Sequence, residues 1–212
     1  MPRWLWALLF GLFAALWWMG HRGSMPTAAL QGNGLARCPM PPPFADSNQP
    51  RQSALDGQLA PFRFGNATIS PLAGFSLEAR VLSRENYSIG PSADYSPTDL
   101  ALGWGPMSEP GMAKKLHVSQ AGRWYHYGWG GDGPPLAPDV IIRNSANMHM
   151  VPADPSVARS LQAIDAGDMV RVDGWLIRID SDKGWHWQSS LSRDDSGGGA
   201  CELVLVCSIQ NR

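Results

Sequence analysis

The stretch DMVRVDGWLIRID, residues 168–180, carries a clear strand signal and a change of phase within it. Val170 and Val172 alternate with polar neighbours, as in a strand that buries one face. After Gly174 the apolar residues occupy the odd positions instead, namely Trp175, Ile177 and Ile179. Because an extra residue at a β-bulge exchanges the two faces of a strand, the pattern predicts a bulge at Gly174 that bends the strand.

Further strands are predicted on both sides of this stretch. FSLEARVL, residues 75–82, alternates apolar with polar residues and predicts a half-buried strand. GWHWQSS at 184–190 and CELVLVCSI at 201–209 predict two more, joined by the glycine-rich SRDDSGGGA. A short strand is also expected at residues 140–142.

Two segments have the sequence features of helix starts. In DPSVARSLQAIDAGD, residues 154–168, Asp154 is a suitable N-cap, Pro155 suits the first helical position and Gly167 suits the end. In YSPTDLALGWG, residues 95–105, Ser96 and Pro97 repeat the same pattern and predict a short helix that ends at Gly103.

Several short strands, one bent strand and one interposed helix define the expected fold class. We expect an α+β, β-rich domain, either a small barrel of the OB type or a twisted antiparallel sheet, with one or two short helices. An N-terminal transmembrane helix is expected to precede it.

That helix is predicted from WLWALLFGLFAALWWMG, residues 4–20, which contains no charge and has paired tryptophans near both ends. The absence of a small-x-small site after it favours an uncleaved anchor in the lipid bilayer over a cleaved signal peptide. We therefore divide the chain into an anchor at 1–22, an extended Pro/Gly-rich tether at 23–68 and a globular domain at 69–212. The simplest orientation places the C-terminal domain in the periplasm or another extracytoplasmic space.

Charge and spacing exclude several classes of site. The formal net charge of the 212-residue chain is −1, so no overall positive field favours nucleic acid. No cofactor motif is present. The domain histidines lack metal-ligand spacing, so no metal site is expected; they are His117, His126, His149 and His186.

The first candidate binding surface is aromatic. RWYHYGWGGDG, residues 123–133, combines four rings with glycines, and DLALGWGPM places Trp104 beside glycine in the same way. Trp129 lies between two glycines, where a ring on a loop is suited to contact a ligand. Trp124 lies in the strand-like part, and we expect it to belong to the core. Any one of these rings also has an ordinary explanation as core packing.

The second candidate surface is polar. IRNSANMHMVPAD, residues 142–154, brings Arg143, Asn147 and His149 close together in sequence, and Arg123 and the loop residues Arg193 and Asp194 complete the predicted ligand-binding set. The alternative is a turn whose polar side chains bond to their own backbone. A nucleophile at Ser145 or Ser190 has no supporting local motif.

The cysteines leave their pairing open. Cys201 and Cys207 are too far apart to pair within one continuous strand. Either one can meet Cys38 in an oxidising compartment, and unpaired buried thiols are the other alternative.

Three functions follow from these features. The leading hypothesis is a membrane-anchored envelope protein, not an enzyme, whose domain binds a protein partner or an envelope polymer through Trp-lined loops. The second is a hydrolase with a cleft centred on His149. The third is a structural subunit of a membrane protein complex.

Overall fold

The computed structural model describes residues 5–6, 8–14, 38–42, 49–192 and 201–212. Most of the folded part is sheet, with few short helices, which confirms the α+β, β-rich prediction. The strands are β1 (Arg51–Ser53), β2 (Phe62–Phe64), β3 (Ala67–Asn86), β4 (Thr98–Gly103), β5 (Ser119–Ala121), β6 (Trp124–His126), β7 (Ser145–Pro152), β8 (Met169–Ser181), β9 (His186–Gln188) and β10 (Glu202–Asn211). The helices are a 3₁₀ turn (Gly105–Ser108), α1 (Met112–Lys115), α2 (Pro138–Arg143) and α3 (Pro155–Gln162).

Five of the strands pair in a closed circuit, which we call the barrel. β3 pairs with β4, β4 with β7, β7 with β10, β10 with β8, and β8 again with β3. Only the β7–β10 pairing is parallel. β3 closes the circuit because its 20 residues pair with β8 along the first two thirds and with β4 along the last third.

The predicted bulge at Gly174 is wrong in its position. β8 itself has no inserted residue at Gly174. The extra residues lie in the two strands that pair with β8, as Leu72 in β3 and Cys207 in β10. The apparent phase change arises because residues 174–177 of β8 are buried on both faces, with Leu176 in one apolar cluster and Trp175 and Ile177 in another. A Cβ at this glycine would lie 2.0 Å from the Leu205 carbonyl oxygen, so close backbone approach explains why glycine is present.

Inside the closed circuit, inward side chains form one apolar cluster, which we call the interior core. It includes residues from all five strands, among them Phe75, Leu100, Met148, Val172 and Val204. Helix α3 packs against this cluster through Val157 and Leu161. The Asp154 side chain accepts hydrogen bonds from the amides of Ser156 and Val157. The predicted helix at this position is therefore confirmed, cap included.

Two local predictions are wrong for the same physical reason. The segment 96–103 was expected to be helical from its Ser-Pro start, but its last six residues form β4, which is buried on both faces. Residues 140–142 belong to helix α2 and not to a strand. In both places the packing of neighbouring elements outweighs the weak preferences of Leu, Ala, Val and Ile.

The folded unit also extends to the N-terminal side of Ile69, where the sequence pattern places the start of the domain. Strands β1 and β2 both pair with β3. A disulfide joins Cys38 to Cys207 of β10, with 5.3 Å between the two Cα atoms. The indole Nε1 of the fully buried Trp175 donates to the Pro39 carbonyl at 2.8 Å. The described parts of the segment 23–68 therefore pack against the barrel.

Positions 4, 7 and 15–20 of the predicted transmembrane helix lie outside the described residues. Residues 8–14 are helical. In the part of the chain that the structure describes, no helix is both long enough and apolar enough to cross a membrane.

Candidate functional site

The site begins with the outward side chains of two neighbouring strands. Leu100 and Leu102 of β4 point into the interior core, so the alternation of the strand directs Asp99 outward. In β7 the same alternation directs Asn147 and His149 outward, and the register places His149 directly opposite Asp99. The three outward residues are at most 4% exposed. Another part of the chain therefore covers this face.

The cover is the long connection between β4 and β7. Within it, β5 and β6 form an antiparallel hairpin whose two turn residues are Gly122 and Arg123. Their φ angles are +59° and +72°, as expected for the type I′ turns that suit two-residue hairpins. The turn brings the Arg123 side chain onto the outer face of β4.

Arg123 is held by a buried carboxylate and by aromatic faces. Its Nη1 donates to Asp99 Oδ1 at 2.7 Å, and its Nη2 donates to the Ser96 carbonyl at 2.8 Å. The guanidinium carbon lies 3.8 Å from the ring centroid of Tyr87 and 5.5 Å from that of Trp187. The arginine side chain is 18% exposed and the aspartate side chain 0%. An ion pair this deeply buried depends on both partners, because removal of one leaves a buried charge.

His149 lies on the other side of the same carboxylate. Its Nδ1 is 3.0 Å from Asp99 Oδ2, close enough for an ion pair, although the ring N–H is not aligned for a hydrogen bond. The imidazole packs against the Trp187 ring at a centroid distance of 4.6 Å. Trp187 comes from β9, so strands from distant parts of the sequence enclose the histidine.

Asn147 connects the hairpin backbone to the barrel. Its Nδ2 donates to the Arg123 carbonyl at 3.1 Å and to Asp99 Oδ2 at 3.3 Å. Its Oδ1 accepts from Gln120 Nε2 at 2.6 Å. The amide therefore binds strand β5, the turn of the hairpin and the central carboxylate.

Next to this polar cluster, a row of rings leads from the protein interior to the surface. The Tyr125 and Tyr127 centroids are 5.3 Å apart, and Tyr127 stacks on Trp129 at 6.4 Å. Burial raises the pKa of Tyr125 to about 12, so its hydroxyl keeps its proton and donates to Ser145 Oγ. Trp129, at the outer end, is 41% exposed, and Trp124 near the turn is 45% exposed.

Of the predicted ligand-binding residues, the structure brings together Arg123, Asn147 and His149. Trp104 belongs to the interior core and is 3% exposed, so its predicted place in a binding surface is wrong. Arg143 lies on the surface and pairs with Asp139 one helical turn away. Trp129 lies at the surface end of the aromatic row. Arg193 and Asp194 lie outside the described residues.

The prediction that Trp124 anchors the core is also wrong. The alternation in RWYHY is real, but Tyr125 and Tyr127 face the apolar cluster beneath the hairpin, and Trp124 and His126 face solvent. The hairpin instead buries the two tyrosines, which cover the cluster around Leu116 and Ile141.

The most central residue, Asp99, was missed. Its signal is a single carboxylate in the largely apolar run TDLALG, which the sequence pattern interprets as a short helix without a role for Asp99. The residues that surround the partners of Asp99 are Tyr87 beside Arg123, Gln120 beside Asn147 and Trp187 beside His149. They come from separate segments, and no spacing in the sequence relates them to Asp99.

The groups that were considered for metal binding and for nucleophilic attack can be located in the structure. Within the described ranges, no group of three His, Cys, Asp or Glu side chains is suited to a metal ion. The hydroxyl of Ser145 donates to the Ile141 carbonyl and that of Ser190 to the Ser192 carbonyl. His149 and Asp99 are shielded from solvent, whereas Trp124 and Trp129 are accessible to a ligand.

No known protein family, no curated protein and no solved structure matches this chain.

Proposed function

We propose that the chain is a membrane-anchored envelope protein whose barrel, of the OB type, binds a protein partner or an envelope polymer through its aromatic hairpin. The order of the closed circuit supports the OB assignment, with helix α3 between the third and fourth strands and the third and fifth strands parallel. OB barrels bind linear polymers on the face of their second and third strands, helped by two flanking loops. In this chain those strands are β4 and β7.

The observation that carries the proposal is the position of the two exposed tryptophans. The hairpin covers the face of β4 and β7, and the exposed rings are Trp124 within the hairpin and Trp129 in the loop that follows it. The turn beside Trp124 is held by the buried Arg123–Asp99 pair. Rings fixed before binding lose little entropy when a ligand arrives, and they can stack on sugar rings or proline rings. The near-neutral net charge disfavours nucleic acid as the polymer.

Residues 4–20 are proposed as the anchor in the bilayer, with the barrel on the extracytoplasmic side. The uncharged run supports the anchor. The Cys38–Cys207 disulfide supports the side of the membrane, because disulfides persist in exported proteins and are rare in reducing compartments. The envelope would then contain the binding partner.

A hydrolase centred on His149 remains the second candidate, because Arg123 and His149 do converge on Asp99 within 3.0 Å. The burial of that cluster favours a binding role. The third candidate, a structural subunit of a membrane complex, draws on the same exposed rings and differs in requiring a permanent partner. Hydrolysis of a bound polymer that His149→Gln abolishes would favour the hydrolase over the binding protein.

The proposal is tested with the full chain in detergent micelles and two probes, a chito-oligosaccharide and a proline-rich peptide. We expect one probe to bind, as measured by calorimetry, and the Trp124→Ala/Trp129→Ala double variant to weaken binding at least about tenfold. Ile142→Ala is the matched control, because Ile142 is also 41% exposed but lies on helix α2. Absence of binding to both probes, or equal binding by the double variant, would overturn the proposal.

A further inference from the structure

The hairpin is attached to the barrel in an unusual way. In the described part of the chain, β5 and β6 pair with each other, and neither pairs with the eight-stranded sheet. The polar contacts that join the hairpin tip to the barrel all involve side chains, those of Arg123, Asn147, Gln120 and Tyr87. The pose of the tip therefore depends on these side chains, because no ladder of main-chain hydrogen bonds holds it.

The turn residue itself supports a special role for the arginine. Arg123 has a φ of +72°, in the left-handed region where glycine or asparagine is favoured at this position of a type I′ turn. An arginine here has an unfavourable backbone conformation. Its side-chain contacts compensate, since the guanidinium reaches Asp99, the Ser96 carbonyl and the Tyr87 ring. Glycine would suit the backbone better but would make none of these contacts.

Asp99 is the common partner of this network. One carboxylate oxygen accepts from Arg123, and the other faces both Asn147 Nδ2 and His149 Nδ1. The carboxylate is fully buried, so water cannot replace a lost partner at low cost. The geometry therefore couples the position of the hairpin tip to one carboxylate on β4.

We propose that Asp99 and Arg123 form a latch that sets the pose of the hairpin tip, and with it the orientation of the neighbouring Trp124. Because this inference rests on the proposed function, both are positioning residues for ligand binding and neither is expected to touch the ligand. The base of the hairpin is held separately by Tyr125 and Tyr127, which pack on the apolar cluster beneath it. Loss of the latch is therefore expected to free the tip and leave the barrel folded.

Hydrogen exchange measured by mass spectrometry on the full chain tests the latch without any ligand. In Asp99→Asn and in Arg123→Gly, amides of residues 119–126 are expected to exchange at least about tenfold faster than in the wild type. Amides of β8, in the barrel wall, are expected to keep their wild-type rates. Asp139→Asn is the control, because it removes an ion pair with Arg143 that lies on the surface.

Arg123→Gly distinguishes a latch from a purely structural turn. If the turn backbone alone held the tip, glycine at this left-handed position would leave the exchange of residues 119–126 unchanged or make it slower. That result would overturn the proposal. Equal acceleration in β8 would also overturn it, because the pair would then support the whole barrel.

A binding measurement on the same variants separates this proposal from the proposed function. In the variants whose hairpin tip exchanges faster, the affinity for the chito-oligosaccharide or the proline-rich peptide is expected to fall at least about fivefold. A tip that exchanges faster while the affinity stays unchanged would overturn the positioning role of Asp99 and Arg123. The proposed function would then still be tested by the Trp124→Ala/Trp129→Ala double variant. Failure of both probes to bind the wild type would overturn the proposed function while the exchange result still stands.

Discussion

The inside of the barrel and the outer face of β4 and β7 are both closed to water, but they are stabilised by different chemistry. β4 contributes to both, with Leu100 facing the interior core and Asp99 facing the hairpin. Inside, stability comes from apolar burial, which has no directional requirement. Outside, it comes from an ion pair and amide hydrogen bonds, which require defined positions. The interior therefore stabilises the barrel, whereas the outer network determines where the hairpin lies.

The largest effect is expected in the interior. Phe75 is fully buried in the interior core, and Phe75→Ala should lower the free energy of unfolding by about 3 to 5 kcal/mol, because a large cavity replaces the ring. Denaturant unfolding followed by circular dichroism measures this change. Ile89→Ala is the control, since Ile89 is 91% exposed and should behave like the wild type. A small loss at Phe75 would mean that the interior is not the main source of stability.

The next effect concerns a covalent restraint that joins the N-terminal segment to β10. The Cys38–Cys207 disulfide spans 169 residues, and its removal should cost about 2 to 5 kcal/mol, because the unfolded chain gains freedom. The Cys38→Ser and Cys207→Ser variants should be destabilised equally, and reductant should lower the stability of the wild type to theirs. Insensitivity of the wild type to reductant would contradict a stabilising role for this disulfide.

Some of this organisation is local enough to be predicted from the sequence. The Asp154-Pro155 start predicts helix α3, and the alternation in residues 75–82 predicts part of β3, because both signals lie within a few neighbouring residues. The β-rich class follows from several such signals together. The polar cluster around Asp99 has no such local signal. Asp99, Arg123 and His149 meet only after three segments fold together, and a lone aspartate among leucines does not indicate its partners.

A smaller effect on stability is expected at Asp154, the N-cap of helix α3 that the sequence correctly predicts. Burial raises the pKa of Asp154, but hydrogen bonds from Ser156 and Val157 outweigh it, and the net pKa is lower than usual. Asp154→Ala should cost about 1 kcal/mol at pH 7, through loss of the helix cap. Asp154→Ser, which keeps a capping oxygen, is the control and should stay near the wild type.

The pH dependence of this cap has a defined sign. Because the folded-state pKa lies below the unfolded value of about 3.9, the charged form stabilises the fold above that pH. As the pH falls through the folded pKa, this contribution disappears. The difference in stability between the wild type and Asp154→Ala should therefore shrink in acid, as thermal melts between pH 7 and pH 3 can measure. A difference that grows in acid would contradict the assignment.

The smallest effects on stability are expected for the two exposed tryptophans, Trp124 in the hairpin and Trp129 after it, which contrast most with the interior core. Trp124 and Trp129 keep 45% and 41% of their surface exposed, so little apolar area is lost when either becomes alanine. Each variant should unfold within about 1 kcal/mol of the wild type. Trp104→Ala is the matched interior variant, because Trp104 is also a tryptophan but is only 3% exposed. This substitution should lower the free energy of unfolding by about 3 to 5 kcal/mol.

The two surface variants are also expected to differ from each other. Trp129 stacks on Tyr127 at 6.4 Å and loses that contact in Trp129→Ala, whereas no ring contact joins Trp124 to another aromatic side chain in the described residues. Trp129→Ala should therefore be the less stable of the two, by about 0.5 to 1 kcal/mol. Parallel thermal melts decide the order. If Trp124→Ala unfolds first by a clear margin, Trp124 supports the fold, and its role as an exposed binding ring is wrong.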